Sequence, residues 1–129
     1  MPPPSPFTRN VVLVDDDSAL RLALTFMLEL DGFAVTALDS GEALLLSDLP
    51  AAPVCLVLDQ NLSGLTGLEA LAALRAKNEH LPALLITSHP RPSIRETAAL
   101  LGAVIVEKPL LGTPQRRDQR RDASLSPTL

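Results

Sequence analysis

The sequence contains no tryptophan and no tyrosine, and its three phenylalanines bring the aromatic share to only 2% of 129 residues. Nucleic-acid binders lean on stacking platforms and a basic balance, so few rings and a formal charge of −4 weigh against that class. Cysteine occurs once, at Cys55, which excludes an internal disulfide; with the two distant histidines His80 and His89 it has no zinc-site spacing. Cys55 sits in an apolar run and reads as core. The opening Met1-Pro2-Pro3-Pro4-Ser5-Pro6 has neither the basic nor the apolar region of a secretory leader. No apolar run approaches the ~18 residues of a membrane span. The expectation is a cytoplasmic, unprocessed protein without a membrane or direct nucleic-acid partner.

A core is what the sequence does supply. Hydrophobic residues make up 47% and charged residues 20%, which excludes a wholly disordered chain, and the length suits one domain. Val11 to Val14 is a short β-branched apolar run, the pattern of a strand buried on both faces of a parallel sheet, and it stops at Asp15-Asp16-Asp17. From Ser18 the period becomes helical through Leu20, Leu24, Met27 and Leu28, with Gly32 placed to close the helix. Ala34 to Ala37 reads as a second strand, followed by a capping-box-like Asp39-Ser40-Gly41-Glu42 and a helix through Leu49 that Pro50 ends. Val54 to Leu58 is a third strand, ending at Asp59. After a loop with Gly64 and Gly67 comes a helix with Leu68, Leu71 and Leu74 on one face and Arg75 and Lys77 near its end. Ala83 to Thr87 and Ala103 to Val106 are the fourth and fifth strands, separated by a helix over 93–101 with Ile94, Ala98 and Leu101 inward. Strands alternating with helices through short loops predict an α/β fold with a parallel sheet.

Ligands of such sheets bind beyond the C-terminal strand ends. Asp15 and Asp16 follow strand one, Asp59 strand three, Thr87 and Ser88 strand four, and Lys108 strand five. Clustered carboxylates raise one another's pKa unless a cation compensates, and an all-oxygen donor set suits magnesium. A carboxylate, a hard divalent cation, a hydroxyl and an ammonium group are the parts needed to receive a phosphoryl group.

With its acidic and lysine motifs at four strand ends, the stretch from Val11 to Leu111 resembles the receiver domains of bacterial two-component response regulators. The resemblance rests on Val-Leu-Val-Asp15-Asp16-Asp17, Leu-Val-Leu-Asp59-Gln-Asn-Leu-Ser-Gly, Leu-Leu-Ile-Thr87-Ser88 and Val-Glu-Lys108-Pro109. It implies a flavodoxin-like, doubly wound five-stranded sheet in the order 2-1-3-4-5. It also implies Asp59 as phosphoacceptor, Asp16 as direct Mg2+ ligand and Asp15 as a ligand through water. Asn61 would offer its backbone carbonyl to the metal, Lys108 would bind phosphate, and Thr87, with Ser88 beside it, would be the switch hydroxyl. The peptide before Pro109 would be cis. The implied partners are a sensor histidine kinase or histidine phosphotransfer protein and a downstream protein target.

The sequence departs from that pattern twice. Ile105 occupies the position where the family carries a switch aromatic on strand five. Residues 112–129 lack the apolar face of the family's fifth helix, so that helix is expected to be absent or degenerate. The expected division is a proline-rich extension over 1–9, a receiver domain over 10–111 and a polar, disordered tail over 112–129. An uncovered face on strands three to five would invite self-association, with any homodimer using an abnormal interface. Two other readings stand beside the receiver: an inert receiver-like interaction module, and a small phosphatase with an aspartyl nucleophile, for which Asp15 and Asp17 have the spacing. His89, and the tail pairs Arg116-Arg117 and Arg120-Arg121, read as solvated.

Overall fold

The computed structural model describes residues 9–108. The alternation is β1 (Asn10–Val14), α1 (Ser18–Leu30), β2 (Ala34–Leu38), α2 (Gly41–Leu46), β3 (Val54–Asp59), α3 (Gly67–Ala76), β4 (Ala83–Thr87), α4 (Pro92–Leu100) and β5 (Ala103–Glu107). All strand pairs are parallel and the order is β2-β1-β3-β4-β5. The flavodoxin-like order expected from the resemblance is therefore present. Pro109, for which a cis peptide was expected, lies outside the described residues, as do residues 1–8 and 112–129. The cis X-Pro bond among the described residues is Ala52–Pro53.

This order decides where a site can form. From β1 the chain moves outward to β2, and from β3 it moves the other way to β4, so the loops after β1 and β3 diverge and leave a crevice between them. Register places Val14 beside Leu58 and Asp59 beside Ile86, which brings Asp15, Asp16 and Asp59 to that crevice.

Local chemistry sets the helix ends. Asp17 caps α1, its side chain accepting from the Ala19 and Leu20 N–H groups. Gly32, at φ +93°, follows the α1 C-cap Asp31, and the Phe33 N–H returns to the Leu28 carbonyl at 3.0 Å, closing the helix as expected. Helix α2 ends at Leu46, a turn short of the predicted Leu49, because the Ser47 hydroxyl donates to the Ala43 carbonyl at 2.8 Å and its backbone becomes extended. Ser40 caps α2, while Glu42 reaches away to the Leu65 N–H; the capping box is formed instead by Thr66 and Glu69 on α3. Helix α4 starts at Pro92, whose fixed φ suits the first helical position.

Alternate strand residues face opposite sides. Val12, Val14, Leu56, Leu58 and Leu85 pack with Leu44 of α2, Leu68, Leu71 and Leu74 of α3 and Ala98 of α4. Half-buried Ile105 joins this side, so an aliphatic group occupies the expected aromatic position. On the other side, Leu24, Met27 and Leu28 of α1 and Val57, Leu84, Ile86 and Val106 line an open apolar groove of about 200 Å³. Among the described residues only α1 contributes a helix to that lining, and Met27, predicted to face inward, remains 45% exposed. Cys55 is half-buried rather than fully enclosed, and burial pushes its thiol pKa up.

Leu71 is fully buried, so Leu71→Ala should cost about 2–5 kcal/mol through lost contacts and a residual cavity. Leu22→Ala, at a position 72% exposed, should change stability by less than about 0.5 kcal/mol. Urea unfolding followed by circular dichroism checks the pair; equal costs would refute this division of core from surface.

Candidate functional site

Asp15 leaves β1 into a buried position, whereas Asp16, one residue on, is exposed. The Asp17 N–H donates to Asp15 Oδ1 at 2.9 Å, but Asp15 Oδ2 is buried without a hydrogen-bond partner. Arg21, one turn into α1, donates from Nη1 to the Asp15 carbonyl at 2.7 Å and fixes the loop from below. Asp59, also buried, ends β3. One carboxylate oxygen from each of Asp15, Asp16 and Asp59 lies within 4.8 Å of the others.

Lys108 brings the compensating charge. Its N–H continues the β4–β5 ladder by donating to the Thr87 carbonyl at 3.0 Å, and its Nζ lies 3.3 Å from Asp59 Oδ1. The Asn61 N–H donates to Asp59 Oδ1 at 3.2 Å. Thr87 is buried at the end of β4, and together with Gln60, Asn61, Ser88, His89, Arg91 and Ile94 it lines a polar pocket of about 380 Å³. The structure thus brings Asp15, Asp16, Asp59 and Lys108 into one cluster and sets Asn61, Thr87 and Ser88 along the adjoining pocket. His89 is exposed at its rim.

Several residues that shape this site lie in or beside the Asp59 motif without a role assigned to them from the sequence. The Gln60 carbonyl accepts from the Gly67 N–H at 3.1 Å, and its side-chain Oε1 accepts from the Leu68 N–H at 2.8 Å, tying the β3 end to the start of α3. Gly67 is required there: a Cβ would lie 2.5 Å from the Asp59 carbonyl oxygen and 3.0 Å from Leu85 Cδ1. Ser63 donates through both N–H and hydroxyl to Asp16 Oδ2, each at 3.0 Å. Gln60 and Ser63 belong to the quoted motif and Gly67 marks the loop, but small polar residues in a loop are common enough that the sequence alone assigns them no partner.

All the clustered donors are oxygens, and among the described residues no histidine or cysteine joins them, which fits magnesium rather than zinc. The unpartnered Asp15 Oδ2 is what a cation or its bound water would satisfy. Burial raises the Asp15 pKa above the usual 3.8; the Asp17 N–H opposes this, and the negative charge of Asp59 adds to it. The folded protein therefore holds the Asp15 proton more tightly than the unfolded chain. The contribution of Asp15 to stability falls as pH rises above the ordinary aspartate range, leaving a penalty at neutral pH.

Asp15→Asn should accordingly stabilise the cation-free protein at pH 7 by about 1 kcal/mol, the order of relieving one poorly satisfied buried polar group. The advantage should shrink as the pH falls toward 3.8, because the buried wild-type carboxyl, its pKa raised, takes up its proton above that ordinary value. Urea midpoints in the presence of chelator at both pH values check this, and a less stable Asn variant at pH 7 would contradict it.

Residues 11–113 match the family described as the response regulator receiver domain. The transcriptional regulatory protein FixJ of Azorhizobium caulinodans is 37% identical over 105 residues, covering 81% of this chain and 50% of that protein. Nodulation protein W of Bradyrhizobium diazoefficiens is 35% identical over 118 residues, covering 92% and 50%. Among solved structures, the non-phosphorylated HemR receiver domain of Leptospira biflexa superposes with a TM-score of 0.73 at 27% identity, covering 79% of this chain and 83% of that one. Chemotaxis protein CheY4 of Vibrio cholerae gives 0.72 at 25% identity, covering 79% and 88%. The chain spans about half the length of the curated relatives it matches. The parallel sheet in this order, the acidic crevice at its switch point and the match over residues 11–113 agree: the chain belongs to the receiver domain family of two-component response regulators.

Proposed function

We propose that the chain is a phosphorylation switch, shuttle or sink that accepts a phosphoryl group on Asp59 from the phosphohistidine of a sensor histidine kinase or phosphotransfer protein. The observation that carries this reading is the Asp59 carboxylate itself, buried at the switch point with Lys108 Nζ 3.3 Å away and two further carboxylates beside it. A carboxylate oxygen of Asp59 attacks phosphorus, the P–N bond to the donor imidazole breaks, and the imidazole leaves with the bond's electrons and takes a proton. Lys108 holds positive charge at the phosphoryl oxygens, while the Thr87 and Ser88 hydroxyls supply donors from the end of β4.

Asp15, Asp16, Asp59 and the Asn61 carbonyl would hold Mg2+, which when bound neutralises charge on the phosphoryl oxygens. Signalling then passes to a downstream protein, and the cytoplasm is the compartment consistent with a histidine-kinase partner. No helix among the described residues is long and apolar enough to cross a membrane. The domain so defined runs from 10 to 111. Asp17 spends its side chain on the α1 N-cap, which weighs against the phosphatase reading that would use it as acid or base.

Intact-mass spectrometry after incubation with Mg2+ and acetyl phosphate tests the proposal. One phosphoryl adduct is expected on the wild type, none on Asp59→Asn and none after chelation. An unmodified but folded wild type would favour the inert interaction module, and an adduct persisting on Asp59→Asn would mean another nucleophile.

A further inference from the structure

Asp16 is the exposed member of the acidic cluster, and an exposed carboxylate on a loop ordinarily samples several rotamers. Here it does not swing free. The Ser63 N–H and the Ser63 hydroxyl both donate to Asp16 Oδ2 at 3.0 Å, joining the β1–α1 loop to the β3–α3 loop across 47 residues of sequence. The serine is itself held: the Leu65 N–H donates to Glu42 Oε2 at 3.0 Å, and the Leu62 and Gly67 N–H groups both donate to the Gln60 carbonyl. Gly64, at φ +77°, provides the turn that lets position 63 face Asp16 while position 65 faces Glu42. Two donors converge on Oδ2, and among the described residues none is bonded to Oδ1.

We infer that Ser63 is a positioning residue that presents Asp16 to the cation through one oxygen only and thereby favours Mg2+ over Ca2+. The inference rests on the metal-site reading above. Mg2+ demands a near-ideal octahedron at about 2.0–2.1 Å and takes carboxylates one oxygen at a time, so an Oδ1 fixed in advance lowers the ordering cost of binding. Ca2+ accepts six to eight oxygens and often takes both oxygens of a carboxylate. Using Oδ2 as well would require displacing a Ser63 hydrogen bond, since its two donors already occupy both lone pairs of that oxygen. Partners that orient a metal ligand are commonly worth ten- to a hundredfold in affinity. Removing the hydroxyl alone leaves the N–H donor, which places the expected effect near the lower end.

The absence of tryptophan and tyrosine directs the measurement to amide NMR, with MgCl2 and CaCl2 titrated separately into wild type, Ser63→Ala and Ser63→Thr. The amide spectrum also reports that each variant is folded. Ser63→Ala should bind Mg2+ about tenfold more weakly and lose less affinity for Ca2+, so that the preference narrows. Ser63→Thr, which keeps both donors, should restore the wild-type affinities. Equal or tighter Mg2+ binding by Ser63→Ala, equal loss for the two cations, or failure of Thr to restore binding would overturn the role of Ser63 while leaving the metal site intact. A folded wild type that binds neither cation would overturn the metal site as well, and the two failures are thereby told apart.

Discussion

Mutual repulsion among Asp15, Asp16 and Asp59 is the constraint around which the rest of the molecule is arranged. Oxygens from all three lie within 4.8 Å, two of the three residues are buried, and Lys108 is the cation placed against them. Such a cluster opposes folding unless something else holds it together. The holding is done by backbone: parallel ladders fix the ends of β1 and β3 side by side, and the Lys108 N–H bonded to Thr87 fixes the ammonium's origin. Folding energy from the apolar core is thus spent on keeping like charges close, where a bound cation would relieve them.

That core is lopsided. The face under α2, α3 and α4 contains the fully buried Leu44, Leu56, Leu58, Leu71 and Leu85, and it is the face against which the site's supporting loops are tied through Gln60, Gly67 and Glu42. Arg75 strengthens the same side from the far end of α3, donating to the carbonyls of Leu101, Glu79 and Leu81. The opposite face carries the apolar groove against α1. Among the described residues, the loops of the site are thus tied to the more fully packed face, and the apolar groove lies on the other.

Much of this was readable in advance. Uninterrupted apolar runs such as Val54 to Leu58 can be satisfied only by a sheet covered on both sides, and polar residues following each run had to collect at one edge. That argument groups Asp15, Asp16, Asp59 and Lys108, and the structure brings these four side chains together. The end of α2 differs from the sequence expectation because Pro50 is a visible stop signal, whereas the Ser47 hydroxyl competing for the Ala43 carbonyl acts earlier and looks like any serine. The capping box likewise forms at Thr66 and Glu69: with Ser40 as the α2 N-cap the third helical position is Ala43, which has no carboxylate, and Glu42 reaches the Leu65 N–H instead.

Strand and helix identity follow from periodicity and from residues adjacent in the chain, so they are legible without coordinates, and so is the gathering of chemistry at strand ends. The Ser63–Asp16 pair, the Gln60 bridge and the Arg21 contact to Asp15 join different elements, or depend on where a long side chain comes to rest. Such contacts exist only once the sheet order has brought two loops together, because a hydrogen bond needs its donor within about 3 Å of its acceptor. Residue type announces that a group can donate or accept; the folded backbone decides which partner it meets.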